Sequence, residues 1–397
     1  MESLDDRIKV KLEQIANCIC KRATEPLPDN IGGLYGGEWG NLLFICYYAK
    51  YSKNSKIIEL TETYSNRLLS HNSLENLSHT FSDGFSGILY LLNFLKKQKL
   101  LFVDIDEVEA TLENYINRLM MFNINVGNYD FLHGALGVGY YFLKKGRDQK
   151  LLSELVDSLY NTAEKDFFLK CFKWKSRLND KKDKGYNIGF AHGMASKVLF
   201  LSKLIKNNLK NDKLFDLLEN SINYILSQEI DSKNYGCYFP PQSLENKEQN
   251  PILKSRLAWC YGDLGIAYSI WFAGIVASKK EWINKGYNIL LDSTKRKDLT
   301  SNLVIDASIC HGTSGIAMFF RRMYLLTSNP LFLDSSNYWF QQSFNMASFS
   351  DGLAGYMTYK IEWVCDYSLL MGISGIGMLF ISYLLHDQQP WDELFLL

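Results

Sequence analysis

Two cysteines and one histidine in the second half of the chain have the types and spacing that suit a metal site. Cys260 lies in the segment WCYGDLGIAYSI, and Cys310 and His311 are neighbours in ICHGTSGIAMFF. A turn that only starts a helix favours Ser, Asp or Asn, so the Cys-His pair indicates another role. Two thiolates and one imidazole leave a fourth position open on a tetrahedral zinc ion, as catalytic zinc sites do. Cysteine is also a common buried apolar residue, so these cysteines are either metal ligands or core residues, and the wider sequence has to separate the two interpretations.

Both segments are copies of an internal repeat, which predicts the elements that position them. Each copy has a glycine followed by an apolar stretch, and amphipathic stripes such as 105–119 and 215–225 lie between copies. The shared glycines are Gly36, Gly84, Gly134, Gly193, Gly262, Gly312 and Gly372. Intervals of 48 to 69 residues hold one buried helix and one outer helix. Seven such pairs predict an all-α fold, an α/α toroid (double-layered α/α barrel) with its glycine-rich turns at one mouth. No linker is evident, so residues 1–397 are predicted to be one domain.

The repeat also predicts that Cys260 and Cys310 lie close together. Both occupy the position two residues before the shared glycine, and only these two neighbouring copies have cysteine there. If equivalent positions point the same way, the two thiols converge with His311 beside one of them. The aligned copies therefore favour a metal site over two unrelated buried cysteines.

Three other polar residues lie near these motifs and have more than one interpretation. His192 is one repeat away, so it is a fourth ligand, a general acid or base, or a helix-end histidine bonded to backbone. Asp130 either contacts a neighbouring histidine or caps the turn that follows it. Arg256 either stabilises an anionic intermediate or forms a surface ion pair.

Composition and charge argue against several other classes. The 43 basic and 43 acidic residues give zero net charge, which offers no attraction for nucleic acid or an anionic membrane. The N-terminal segment has Ile8, Leu12, Ile15 and Ile19 at helical spacing and does not read as a signal peptide. The apolar run 367–385 contains glycines and serines and repeats the motif, which favours a buried helix over a membrane span. Eight irregularly spaced cysteines predict reduced thiols in a soluble, cytoplasmic protein.

The motifs SRLAWCYG, ICHGTSG, GFAHG and NYDFLHG resemble those of the lanthionine synthetase C family, the stand-alone cyclases of class I lanthipeptide biosynthesis. The resemblance extends through all of the repeats. It implies a double-layered α/α barrel with one zinc ion per chain, held by Cys260, Cys310 and His311. The aligned copies suggest the same three ligands.

The same resemblance implies the chemistry. In this family a substrate thiolate, generated at the zinc, adds to the β-carbon of dehydroalanine or dehydrobutyrine and closes a (methyl)lanthionine thioether ring. The resemblance assigns acid/base work to His192 with Asp130 as its partner, and it places Arg256 and Tyr261 at the reacting centre. The implied partners are a dehydrated precursor peptide, a dehydratase and a transporter-associated complex.

Two alternatives remain open at this point. An enzyme of this kind could use the same zinc to add an external thiol, such as glutathione, to dehydroamino acids. A peptide-binding scaffold could hold the metal without catalysis. Against this, a protein that only binds has no need of the polar residues that accompany the three ligands, namely His192, Asp130 and Arg256. Nothing in the sequence separates an intramolecular thiol from an external one.

The chain departs from the family pattern in two places. After the AHG motif it has Ala195, Ser196 and Lys197, where a further glycine is usual, so the entrance beside that motif is expected to differ in shape. Polar insertions at 173–187 and 232–251 lead into motifs that carry site residues. They are either flaps over the substrate or solvated loops.

Overall fold

The computed structural model describes residues 4–146, 148–177, 185–245, 251–385 and 390–397, and these are mostly helical. The α-helices are α1 (Leu4–Thr24), α2 (Glu38–Ser52), α3 (Ser55–Leu69), α4 (Phe85–Lys97), α5 (Asp106–Asn125), α6 (Ala135–Lys145), α7 (Gln149–Thr162), α8 (Met194–Lys206), α9 (Leu214–Leu226), α10 (Ser232–Tyr235), α11 (Asp263–Ala277), α12 (Lys280–Ser293), α13 (Thr313–Thr327), α14 (Pro330–Asn345) and α15 (Ile373–Leu384). Two short antiparallel hairpins pair β1 (Glu164–Asp166) with β2 (Cys171–Lys173), and β3 (Thr358–Tyr359) with β4 (Trp363–Val364). Short 3-10 helices cover Asn72–Asn76 and Pro390–Phe395.

A glycine directly precedes the first helix of each repeat, namely α2, α4, α6, α8, α11, α13 and α15. In the first copy this residue is Gly37, so the choice of Gly36 from the sequence is wrong by one residue. The two consecutive glycines make that register ambiguous in the sequence. The structure decides it, because the Glu38 N–H that opens α2 bonds to the Ile31 carbonyl, as Phe85 N–H does to Ser78 in the next copy.

The chain divides into two compact units, and the first contains residues 1–115 and 305–395. In this unit α2 packs against its outer partner α3 and against α4 and α15, while α13 packs against α14 and α15. Helix α1 covers α15 and α2, so the first helix of the chain is an outer partner of the last. The four isoleucine and leucine residues expected on its apolar face, Ile8, Leu12, Ile15 and Ile19, are buried.

The second unit contains residues 116–304. Here α6 packs on α7, α8 on α9 and α11 on α12, and α8 contacts both α6 and α11. The stripe predicted on α9 needs one correction, because Phe215 is 56% exposed. Leu214 and Leu217 are buried instead, together with Leu218, since they lie on the same helical face. The prediction of one domain for residues 1–397 stays a prediction.

The first helices of the repeats are buried nearly all round, as their apolar sequences predict. Every residue of α11 from Asp263 to Gly274 and of α15 from Ile373 to Ser382 is buried. In the part of the chain that the structure describes, no helix combines the length and hydropathy needed to cross a bilayer. The apolar run 367–385 therefore contains a buried helix, as predicted.

The two polar insertions lie only partly within the described residues, which omit 178–184 and 246–250. The first begins at the end of the β1–β2 hairpin, and β2 packs against α9. The second contains α10, and the Tyr238 and Phe239 N–H groups that follow it donate to the Asp263 carboxylate at the start of α11. This contact ties the insertion to the helix that follows Cys260, whereas its role as a flap stays a prediction.

Candidate active site

Backbone hydrogen bonds join the motif turns of neighbouring repeats. They are made by the residue two positions before the shared glycine, which is cysteine in two repeats. In the first unit Cys310 N donates to Leu370 O at 3.0 Å, and Leu370 N donates to Tyr35 O at 3.1 Å. In the second unit Ala191 N donates to Cys260 O at 3.0 Å. All of these residues lie two positions before their shared glycine. Equivalent positions therefore occupy equivalent places, which is the condition on which the predicted convergence of the cysteines rests.

The ligand atoms of Cys260, Cys310 and His311 lie within 4.8 Å of one another. Cys260 is 5% exposed, while Cys310 and His311 are half-buried. Thiolate sulfur and imidazole nitrogen are the usual ligands of zinc, and three protein ligands leave a fourth position for water or substrate. The donor set and its spacing fit one zinc ion with an open, partly accessible side.

A side chain six residues before the shared glycine closes most of the motif turns. Its oxygen accepts the backbone N–H two residues later, and its own carbonyl accepts the N–H of the first helical residue. We call this the turn-closing position; it is occupied by Ser78, Asn128, Asn187, Asp306 and Asp366 in the copies that follow this pattern. These short polar residues hold the turn that carries the site residue.

Asp306 is the turn-closing residue of the copy that carries Cys310 and His311. Its Oδ1 accepts the Ser308 N–H at 2.9 Å, and its Oδ2 accepts the Tyr359 N–H at 3.1 Å. The same Oδ2 lies 3.6 Å from His311 Nε2. Burial alone would raise the pKa of the Asp306 carboxyl, but its interactions with His311 and Ser308 outweigh burial and lower the pKa.

His192 and Asp130, from neighbouring repeats, form a hydrogen-bonded pair. His192 Nδ1 donates to Asp130 Oδ2 at 2.9 Å, and the other carboxylate oxygen accepts the His133 N–H at 2.8 Å. Burial would raise the pKa of the Asp130 carboxyl, but His192 and the His133 N–H lower it below its ordinary value. Asp130 thus contacts a histidine and also caps the turn that follows it, so the structure shows both of the contacts that the sequence analysis gave as alternatives.

Tyr261 follows Cys260, one of the three candidate metal ligands, and its ring faces His192. The two ring centroids are 6.4 Å apart, and Tyr261 Oη accepts a hydrogen bond of 3.1 Å from Asn187 Nδ2. On its other side His192 stacks on His133, with ring centroids 5.7 Å apart and planes inclined by 17°. His192 therefore lies between a histidine and a tyrosine ring, with its Nε2 as the nitrogen that Asp130 does not occupy.

Arg256 occupies the turn-closing position of the copy that carries Cys260, where the first copy has Ile31 and the other five have a short polar side chain. Among the described residues this guanidinium has no ion-pair partner. The shared glycine of this copy, Gly262, has a φ of +89°, whereas its counterparts are extended. A β-carbon there would clash with the Arg256 carbonyl oxygen, so glycine is required in this turn. At the shared glycines of the other copies, close approach of neighbouring atoms leaves little room for a β-carbon.

Lys197 is a buried charged residue that sequence reasoning noted only as a departure from the family pattern. It lies on α8, one turn after Gly193, and its Nζ is 3.5 Å from the Gly193 carbonyl oxygen. Burial lowers the pKa of the Lys197 ammonium to about 8, although the Asp130 charge opposes this effect. The departure therefore places an ionisable amine next to the Asp130–His192 pair rather than changing only the shape of an entrance.

Two further histidines in the described part of the chain, His71 and His79, belong to other segments. His71 accepts the Ser73 N–H at the start of a 3-10 helix, and His79 has a pKa lowered by burial. His386 lies outside the described residues. Sequence reasoning missed Asp306 and Asn187, although their regular spacing before the shared glycines was a signal that could have identified them.

The chain belongs to the lanthionine synthetase C-like family, whose model, described as lanthionine synthetase C-like protein, matches residues 28–396. The nisin biosynthesis protein NisC of Lactococcus lactis subsp. lactis is 24% identical to it over 257 residues. That match covers 60% of this chain and 60% of the relative, so it spans less than two thirds of the relative's length.

A solved structure of nisin cyclase matches the fold with a TM-score of 0.74 at 18% identity. The match covers 98% of this chain and 97% of that one. The α/α toroid predicted from the repeats is thus confirmed, and the family suggested by the four motifs is confirmed by the family model.

Proposed function

We propose that this protein is a zinc-dependent peptide cyclase that adds cysteine thiols to dehydroalanine or dehydrobutyrine in a dehydrated precursor peptide. The observation that carries the proposal is the convergence of Cys260, Cys310 and His311 in a chain of this family. The description of NisC as a nisin biosynthesis protein supports a peptide substrate. Zinc, when bound, acts as a Lewis acid that lowers the pKa of a coordinating thiol and so supplies a thiolate at neutral pH.

The addition requires one proton to leave the thiol and one to reach the substrate. A carbon–sulfur bond forms at the β-carbon, the double-bond electron pair moves toward the α-carbon and carbonyl oxygen, and the α-carbon then takes a proton. His192 suits both transfers because Asp130 holds its Nδ1–H and leaves Nε2 to accept and return a proton. One imidazole can therefore complete the proton balance of each ring closure.

Two further residues suit the charge that develops during this reaction. The enolate oxygen becomes negative, and the Arg256 guanidinium, which is unpaired among the described residues, is available to stabilise it. Tyr261 follows Cys260 in the chain and its ring faces His192, which supports a place for it beside the thiol and the double bond. We assign these two residues to the reacting centre.

The proposed chemistry also defines the partners. A dehydratase must first remove water from Ser and Thr of the precursor, and we propose that this chain acts with it in the cytoplasm, within a transporter-associated complex. No step of the addition requires nucleic acid.

Ring closure can be tested with a dehydrated precursor peptide and zinc-loaded protein. Cyclisation does not change the peptide mass, so remaining thiols are counted by alkylation followed by mass spectrometry. We expect the wild type and Cys365→Ala, which changes an exposed cysteine, to consume the peptide thiols. Cys310→Ala should leave them free and should lose the metal.

The same assay separates the open alternatives. Added glutathione that appears on the peptide as a mass increase, without loss of peptide thiols, would replace the cyclase with an external-thiol transferase. A zinc-loaded wild type that neither closes rings nor transfers glutathione would leave a binding scaffold.

A further inference from the structure

The copies of the motif turn show which turn-closing residues need only a hydrogen-bond acceptor. Asn128 and Asn187 close their turns with a neutral amide oxygen. Ser78 does so with a hydroxyl. A negative charge is thus not required to form this turn, and the carboxylate of Asp306 calls for a separate explanation.

The second oxygen of Asp306 provides one. Its side chain is fully buried, and a buried carboxylate is costly unless its charge and lone pairs are satisfied. Oδ1 takes the turn N–H, while Oδ2 faces the Tyr359 N–H of strand β3 and the His311 ring nitrogen Nε2. An amide in place of the carboxylate would satisfy the turn but would carry no charge toward the histidine.

We infer that Asp306 is a positioning residue for the metal ligand His311, a role that rests on the metal site of the proposed function. The carboxylate keeps the ring proton on Nε2 and thereby leaves the lone pair on Nδ1 for a metal ion. Its bond to the Tyr359 N–H holds Oδ2 in place, so the β3–β4 hairpin supports the ligand through Asp306. Carboxylates that hold a ligating histidine in this way typically strengthen metal binding by about 10–100-fold.

The chain contains a matched control for this role. Asp366 has the same turn-closing position in the last copy, where Oδ1 accepts the Ser368 N–H at 2.7 Å. Its Oδ2 pairs with Lys360 at 2.6 Å, and the position of His311 is taken by Met371. Asp306→Asn and Asp366→Asn therefore make the same chemical change in equivalent turns, with and without a ligand histidine.

The test is the zinc dissociation constant of the full-length protein, measured by competition with a chromophoric chelator. We expect about 10–100-fold weaker binding for Asp306→Asn and less than about threefold change for Asp366→Asn. In a His311→Ala background, Asp306→Asn should cause no further loss of affinity. Thermal unfolding of the metal-free variants reports whether each fold is intact.

A second measurement reads the ligand geometry directly. Co²⁺ in place of zinc has visible absorption bands that respond to the number and arrangement of thiolate and imidazole ligands. These bands should change in Asp306→Asn and stay unchanged in Asp366→Asn. A change that appears equally in both variants would indicate a structural effect and would overturn the assignment.

The inference is also overturned if folded Asp306→Asn binds zinc as tightly as the wild type. It is overturned too if Asp306→Asn weakens zinc binding by the same factor in the His311→Ala background as in the wild type. A wild type that binds zinc but closes no rings would refute the proposed cyclase and leave the role of Asp306 intact. A wild type that binds no zinc would remove both.

Discussion

The turns that carry His192 and His311 have the same backbone plan but use opposite nitrogens of the histidine ring. Each histidine directly precedes its shared glycine, and each faces a buried aspartate. His192 turns Nδ1 toward Asp130 of the preceding repeat, at 2.9 Å. His311 turns Nε2 toward Asp306 of its own turn, at 3.6 Å. Whether the aspartate lies in another repeat or in the same turn thus corresponds to which nitrogen of the histidine ring it faces.

The difference explains how one repeated turn supports two roles. At the turn-closing position the His192 turn has Asn187, whose amide reaches Tyr261 instead of the histidine. Its histidine is therefore oriented by a residue of another turn, and Nε2 is the ring nitrogen that Asp130 does not contact. In the His311 turn the carboxylate is inside the turn and faces Nε2, and the ligand atoms of His311 and the two cysteines lie within 4.8 Å of one another. In the proposed function, one motif therefore provides both a proton-transfer group and a metal ligand.

The largest expected effect comes from removing each imidazole in turn. His311→Ala leaves only two thiolates to hold zinc, so it should bind the ion much more weakly and lose several kcal/mol of transition-state stabilisation, or roughly 10³-fold in ring-closure rate. His192→Ala should slow the rate by about 10²–10⁴-fold and keep the metal. Metal analysis and the thiol-alkylation assay on the same preparations check both. Loss of zinc from folded His192→Ala would make that residue a fourth ligand and end the comparison.

An intermediate effect is expected from Asp130→Asn. The pKa of Asp130 is lowered in the folded protein, so its contribution to stability is complete above the unfolded value, near pH 4, and is lost as the pH falls through the folded value. We expect the variant to be less stable at pH 7 by about 1.5–3 kcal/mol, with the difference shrinking toward pH 3. Unfolding by urea at several pH values measures this. A difference that does not depend on pH would show that the charge of Asp130 is unimportant.

The smallest effect on catalysis, but a useful one, is expected from Lys197→Met. Because the pKa of Lys197 is lowered to about 8, burying its charge destabilises the fold below that pH, and the cost fades as the pH rises from about 8 toward the unfolded value of 10.5. The variant should therefore be more stable at pH 7, by at most about 3 kcal/mol, with the gain fading by pH 10. Thermal unfolding across this range checks it, with Lys206→Met on the same helix as a control. A variant that is destabilised at pH 7 would mean that Lys197 compensates the Asp130 charge.

Much of the fold could be predicted because its signal is repeated. The glycine that precedes each apolar helix recurs along the chain. The spacing of apolar residues is also enough to predict the apolar face of α1 and the burial of α15. Errors occurred where local sequence is ambiguous: the doubled glycine at 36–37 hid the register, and Phe215 has helical spacing but lies beside the buried face of α9.

By itself the sequence determined the repeat, the family and the residues at equivalent positions, including the two cysteines two places before their glycines. These properties are local or periodic, so residue types and spacing are enough to specify them. Only the tertiary structure decided that His192 meets Asp130 through Nδ1, that Asp306 faces His311, and that Lys197 is buried near the Asp130 charge. Those contacts depend on side-chain direction and on packing between segments up to 62 residues apart, which spacing along the chain does not encode.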